Sequence, residues 1–261
     1  MADSSYQNKV VLVTGASSGI GRATAELAAE RGAKVALVAR SQSGLDGTAS
    51  GIEPDRVLRA VADVTDAEQV KAAADQAVER FGRIDMAVSN AGVEFLGPAD
   101  TIALEEIEQM IRCNFFGLVH LTRAVIPTMR KQGEGTLVYV SSPMAKFAFP
   151  WSGGYAASKA AGDAFATALS REIADTKIKV VRVYPGGTDT AINRNTPPDR
   201  TPKWYVHSKI TAQDAARGLL DAAAAGRSSR VLVGNVRMLM TIQRLVPPAA
   251  ERVISKIGAL A

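Results

Sequence analysis

Tyr155 and Lys159 stand four residues apart in the run Tyr155-Ala156-Ala157-Ser158-Lys159, and on a helix that spacing puts both side chains on one face. A free phenol ionises near pH ~10, too high for ready proton transfer at neutrality. A neighbouring ammonium favours the phenolate and lowers that value. A tyrosine so placed can give a proton to a carbonyl oxygen during reduction, or take one from an alcohol during oxidation. Far upstream, Thr14-Gly15-Ala16-Ser17-Ser18-Gly19-Ile20-Gly21 carries three glycines at fixed offsets between a strand pattern and a helix pattern. Gly15 permits a tight turn, Gly19 lets backbone approach a pyrophosphate, and Gly21 permits close packing of helix on strand. Backbone N–H groups at the helix start would then face the phosphates. Taken singly, these stretches could be a Gly/Ser loop and a partly buried aromatic near a solvated lysine. Together they point to a nicotinamide dinucleotide and redox chemistry, in which the oxidised ring would add to the pull on the phenol.

The surrounding pattern is one of short apolar runs alternating with longer amphipathic stretches. Strands are expected at Lys9–Thr14, Lys34–Ala39, Val57–Val64, Ile84–Ser89, Thr136–Ser141, Ile178–Tyr184 and Arg230–Val233. Most are nearly continuously apolar, as in parallel strands covered on both faces. Helices are expected near Ile20–Arg31, Asp66–Phe81, Leu104–Lys131, Gly154–Asp175 and Ala212–Ala225. This alternation predicts an α/β fold: a single-domain, Rossmann-type, doubly wound parallel sheet of about seven strands with helices on both faces, spanning 1–261. In Ser41–Glu53, Gly44, Gly47 and Gly51 weaken any helix. Asn193–Tyr205, with Pro197, Pro198 and Pro202, reads as a mobile excursion outside the regular elements.

The second strand ends Val38-Ala39-Arg40. A protein selective for NAD usually places a carboxylate here to hold the ribose 2′-hydroxyl, whereas a guanidinium suits the 2′-phosphate of NADP. Arg40, aided by Ser17, Ser18, Arg22 and Ser41, therefore points to NADP(H) in preference to NAD(H).

With these residues in hand, the chain resembles the short-chain dehydrogenase/reductase family in its roughly 250-residue branch. The motifs run in order through the glycine turn, Asp63-Val64, Asn90-Ala91-Gly92, Asn114, Ser142, Tyr155/Lys159 and Pro185-Gly186. The resemblance implies that Asp63 and Val64 contact adenine and that Asn90, Ala91 and Gly92 support the central strand and line the cofactor. It further implies that Pro185, Gly186, Thr188 and Thr190 lie beside the nicotinamide, and that Lys159 also holds the nicotinamide ribose. Ser142, thirteen positions before Tyr155, would hold the substrate oxygen. Ser141 is its rival, at a spacing that fits less well. Asn114 would hold a water that relays protons through Lys159. Two departures, Ser89 in place of an asparagine and Thr188 in place of an apolar residue, remove no catalytic group.

The implied activity is an NADP(H)-dependent interconversion of carbonyl and alcohol. Alternatives are a 3-oxoacyl-carrier-protein reductase and an NADPH-binding sensor or scaffold without turnover. The net charge of +5 is spread rather than clustered, which argues against nucleic acid. Cys113 alone cannot form an internal disulfide, and His120 and His207 form no metal-ligand pattern. The start of the sequence lacks an apolar targeting segment, so a cytoplasmic enzyme, forming a homodimer or homotetramer, is the expectation. Residues 188–207, with Trp204 and Tyr205, form the candidate substrate loop. Residues 235–261 alternate apolar residues with Arg237, Arg244, Arg252 and Lys256, and Pro247-Pro248 splits them into two short amphipathic helices, the second starting near Ala249. That extension could be a substrate lid, a dimer contact or a peripheral membrane contact; its lack of bulky aromatics argues against the last. The apolar tail and Trp204/Tyr205 suggest a medium-sized hydrophobic substrate.

Overall fold

The computed structural model describes residues 6–188, 190, 192, 210–248, 251, 252 and 254. Seven parallel strands form one sheet in the order β3-β2-β1-β4-β5-β6-β7: β1 Val10–Thr14, β2 Lys34–Ala39, β3 Val57–Val61, β4 Met86–Ser89, β5 Glu134–Val140, β6 Lys177–Tyr184 and β7 Ser229–Val231. The order reverses between β1 and β4, where an α/β sheet opens a crevice at its carboxyl edge.

Alternation along the strands builds two cores. Val11 and Val13 of β1 face one side with Leu219 and Leu220, while Leu12 faces the other with Val70, Leu121 and Val125. The first side is covered by α1 (Gly19–Glu30), α2 (Gln42–Ala49) and α7 (Ala212–Ala224). The second is covered by α3 (Ala67–Phe81), α5 (Gly117–Gln132) and α6 (Gly153–Glu172), with the short α4 (Leu104–Met110) preceding α5.

Some boundaries differ from the sequence expectation for local reasons. The third strand stops at Val61 because Asp63 turns the chain, accepting Thr65 N–H and Oγ1–H at 2.9 Å each. Asp66 then caps α3 through the N–H groups of Glu68 and Gln69. The fourth strand starts only at Met86, since Asp85 is drawn to Val10 N–H and Arg83. The doubtful 41–53 stretch does form a helix. Ser41 caps it by accepting Gly44 N–H at 3.1 Å, and Leu45 is fully buried. The long helix expected over Leu104–Lys131 is interrupted: a π-helical stretch, Ile111–Phe116, separates α4 from α5.

Thr188 pairs with Ile210 in an isolated bridge, and Ile210 N–H donates to Gly187 O at 3.0 Å. This clasp closes the base of the candidate substrate loop 188–207, most of which, including the whole excursion Asn193–Tyr205 and His207, lies outside the described residues. In the C-terminal extension α8 (Gly234–Leu245) precedes the two prolines as expected, with Met238 and Leu245 exposed. The start of the second helix at Ala249 lies outside the described residues, although Ile254 is buried.

Candidate active site

The carboxyl ends of β1 to β6 face the crevice, and each carries part of the site. At the end of β1, Gly15 and Gly19 adopt left-handed φ values of 67° and 55°. A Cβ on Gly21 would stand 2.3 Å from Gly15 O, and one on Gly15 would stand 2.8 Å from Asn90 Nδ2. The turn thus has no room for larger residues. A Cβ on Gly19 would meet Thr190 Cγ2 at 3.1 Å, so the loop after β6 reaches the glycine turn. Ser18 is the residue before α1, and its side chain makes no cap hydrogen bond. Ile20 packs against the core. Ser17 lies against Gly44 of α2, where a Cβ would stand only 2.6 Å from Ser17 Cβ.

Thr14 fastens the neighbouring strand. Its Oγ1 donates to Val88 O at 3.1 Å and accepts from Asn90 N (3.0 Å) and Ala91 N (3.2 Å), while Asn90 Nδ2 donates to Thr14 O at 3.0 Å. Asn90 and Ala91 therefore brace the turn, and Gly92 follows close to the catalytic groups: its Cβ would lie 3.1 Å from Asn114 Oδ1, a tight approach, and 3.6 Å from Lys159 Nζ, an ordinary contact. At the far end of the crevice Arg40 is 68% exposed, its Nη1 3.8 Å from Asp63 Oδ2. Val64 is buried and its carbonyl accepts from His120 Nδ1 at 2.9 Å. Arg22 is engaged by Glu26 at 2.7 Å and by Gly47 O at 3.2 Å. After β6 come Pro185, then Gly186 at φ 82°, whose carbonyl accepts from Thr188 Oγ1 at 3.3 Å.

The proton-transfer groups sit on the first turns of α6. Tyr155, Ser158 and Lys159 are all buried there. Lys159 Nζ donates to Val140 O at 2.9 Å and lies 5.9 Å from the centre of the Tyr155 ring. Burial lowers the Lys159 ammonium to about 8, against the opposing pull of Cys113, Glu94 and Asp163. Burial likewise raises Tyr155 well above its ordinary value, and the charge of Glu94 raises it further; a hydrogen bond with Ser142 works the other way. Desolvation is the largest influence on the phenol, and its direction is opposite to the lowering that an ammonium and an oxidised nicotinamide together are expected to give. Of the two serines after β5, Ser142 is the one brought to Tyr155, its Oγ also accepting Met144 N–H at 3.2 Å. Ser141 lies instead by Tyr139.

Asn114 sits in the π-helical stretch and is 2% exposed. Its Oδ1 accepts Val93 N–H at 2.8 Å, and its Nδ2 donates to Val93 O and Ser158 Oγ, both at 2.9 Å. Its amide thus ties the segment after β4 to the helix that carries Tyr155. Two residues near the site were missed by the sequence reading. Trp151 holds φ 69° and its carbonyl accepts Gly97 N–H at 2.9 Å. Glu94 is a carboxylate 2% exposed between Val93 and Phe95, both packed with Tyr155. A charged residue between two apolar ones beside Asn90-Ala91-Gly92 was the available hint.

Residues 9–201, more than half of the chain, match the family described as short chain dehydrogenase. The putative oxidoreductase SadH of Mycobacterium tuberculosis is 32% identical over 268 aligned residues, covering 97% of this chain and 96% of the relative. A short chain dehydrogenase from Burkholderia cenocepacia, solved with NADP, superposes with a TM-score of 0.81 at 28% identity, covering 95% and 98% of the two chains. A short chain dehydrogenase/reductase from Burkholderia phymatum, solved with NAD, gives 0.83 at 25% identity, covering 92% and 94%. The chain belongs to the short-chain dehydrogenase/reductase family, a family of oxidoreductases that act on small molecules.

Proposed function

We propose that this protein is an NADP(H)-dependent oxidoreductase that interconverts a carbonyl and an alcohol on a medium-sized, largely apolar substrate. The observation that carries the reading is the convergence of Ser142, Tyr155 and Lys159 at the mouth of the crevice that the glycine turn opens. The turn fits a dinucleotide pyrophosphate, since Gly15 and Gly21 have no room for a Cβ and Gly15 and Gly19 hold left-handed backbone just before the first turn of α1. A bound nicotinamide supplies or accepts the hydride. Tyr155 exchanges the proton with the substrate oxygen, Ser142 holds that oxygen, and Lys159, which would also hold the nicotinamide ribose, passes the proton onward. The Asn114 amide is engaged by Val93 and Ser158, so in this reading it acts by holding the segment after β4 against the helix that carries Tyr155 and Lys159.

Arg40 supports NADP(H): it is exposed, loosely placed at 3.8 Å from Asp63, and no carboxylate ends β2. Asp63 and Val64 line the adenine side, and Pro185, Gly186, Thr188 and Thr190 the nicotinamide side. Val93, Phe95, Met110, Met144 and Ile192 surround Tyr155, an apolar wall suited to an apolar substrate. The protein works as a homodimer or homotetramer in the cytoplasm. NADPH and NADH consumption across ketones and aldehydes graded in size and polarity tests the reading. Turnover with NADPH that rises with apolar bulk is expected. A preference for small polar ketones would overturn the substrate class, and tight NADPH binding with no turnover would make the protein a sensor.

A further inference from the structure

Asp163 is a carboxylate 2% exposed in α6, one helical turn beyond Lys159. Gly162 beside it lets α6 lie directly on β5, since a Cβ there would stand 2.3 Å from the Tyr139 hydroxyl oxygen. From that position Asp163 reaches two other segments of the site. Tyr184, the last residue of β6 and the one before Pro185-Gly186, donates its hydroxyl to Asp163 Oδ2 at 2.8 Å. The Lys146 ammonium is ion-paired with the same oxygen and lies 5.7 Å from the centre of the Tyr184 ring. Lys146 closes the short turn that begins at Ser142: Ser142 O accepts Ala145 N–H, and Pro143 O accepts Lys146 N–H, both at 2.9 Å. A displacement at the Lys146 end of so short a turn is passed to the Ser142 hydroxyl.

This arrangement serves stability poorly. Both donors converge on Oδ2, while Oδ1 is buried and meets no hydrogen-bond partner among the described residues. Apolar side chains of similar volume often match or exceed a buried ion pair in stability. What they lack is direction: a carboxylate fixes where an ammonium and a phenol come to rest.

We propose that Asp163 is a positioning residue for hydride and proton transfer: through Lys146 it fixes the Ser142 turn, and through Tyr184 the Pro185-Gly186 segment, against the helix that carries Tyr155 and Lys159. This rests on the carbonyl–alcohol reading above and adds to it a residue that acts only through others.

Steady-state reduction of a ketone by NADPH, run beside thermal unfolding of the full-length protein, tests the role. Lys146→Met strips the buried carboxylate of its cation and should lower both the melting temperature and kcat. Adding Asp163→Asn removes the second charge and should restore the melting temperature. The kcat of that double variant should stay about tenfold below wild type, because the Ser142 turn is still unheld. Tyr184→Phe keeps the ring but frees the segment after β6, and should raise KM for NADPH about threefold or more with little change in kcat. Arg182→Gln breaks a different tie between β6 and α6, the 2.6 Å bond from Arg182 Nη1 to Thr167 Oγ1, and should lower the melting temperature while leaving kcat unchanged. A kcat that returns with the melting temperature in the double variant, or that falls as far in Arg182→Gln, overturns the proposal. An unchanged KM for NADPH in Tyr184→Phe overturns the link to Pro185-Gly186. If the double variant does not fold, Lys146→Arg and Lys146→Gln replace it, at a side chain 38% exposed. Arginine should keep kcat and glutamine lose it, and equal kcat in the two overturns the proposal. Absence of turnover by the wild type on every ketone refutes the carbonyl–alcohol reading itself, whereas wild-type turnover that these variants leave intact refutes only the role of Asp163.

Discussion

Gly44 and Gly47 lie in the same short helix, and replacing each with alanine should move stability in opposite directions. Helix propensity alone predicts that both changes stabilise by up to ~1 kcal/mol. At Gly47 the nearest atom to a new Cβ is Arg22 Nη1 at 3.8 Å, an ordinary contact, so the propensity gain should stand. At Gly44 the new Cβ would meet Ser17 Cβ at 2.6 Å, an atom fixed to the backbone of the glycine turn. Overpacking of that kind costs about 1–3 kcal/mol, which outweighs the gain. The relief has to come from the turn, so NADPH should bind more weakly, by about fivefold for each ~1 kcal/mol of strain carried there. Thermal unfolding and NADPH titration together read both effects. Gly47→Ala should melt roughly 2 °C higher with unchanged affinity, and Gly44→Ala lower with reduced affinity. Equal stabilisation by the two alanines, with NADPH affinity unchanged, would refute the claim that α2 is pressed against the cofactor turn.

Arg40→Ala should weaken NADPH by roughly tenfold or more while leaving NADH nearly unaffected, the value of a charge-assisted contact to phosphate; equal loss of both cofactors in a binding titration would count against it. Lys159 is lowered to about 8 by burial, so between that value and about 10.5 the unfolded chain binds the extra proton and this group's contribution to stability rises with pH. Wild type should therefore gain on Lys159→Met by up to about 3 kcal/mol from pH ~7 to ~10.5, as measured by denaturant unfolding; parallel curves would show that the buried ammonium carries no such cost. Asn114→Ala strips partners from both backbone groups of Val93 and from Ser158, and should destabilise by about 2–4 kcal/mol along with reducing turnover. A normal melting temperature in that variant would mean that the segment after β4 is held by other contacts.

Much of this arrangement is legible in the residues alone because its parts are local. Apolar runs mark the strands, and the glycine turn and the Tyr155/Lys159 pair announce themselves by spacing. What could not be read depends on contacts between distant segments. Gly44 looks like a helix breaker until Ser17 is seen against it, and then its missing side chain is what lets α2 approach the turn. The π-helical stretch around Asn114 has no propensity signature, because it is set by where that amide must reach Val93 and Ser158. The raised Tyr155 phenol is hidden from the sequence for a related reason. Spacing shows the ammonium but neither the desolvation that lifts the phenol nor the carboxylate of Glu94, whose place follows from the path of the chain after β4. Ser142 and Ser141 were likewise separable by spacing only in part; the geometry brings Ser142 to the phenol.

The most direct test of the central claim is a paired measurement on Tyr155→Phe: NADPH affinity by titration, and carbonyl reduction by rapid mixing under the conditions that suit the wild type. The account predicts NADPH affinity within about threefold of wild type and turnover lower by a factor of about 10²–10⁴, the contribution of a positioned proton donor. Turnover retained in the phenylalanine protein would contradict it.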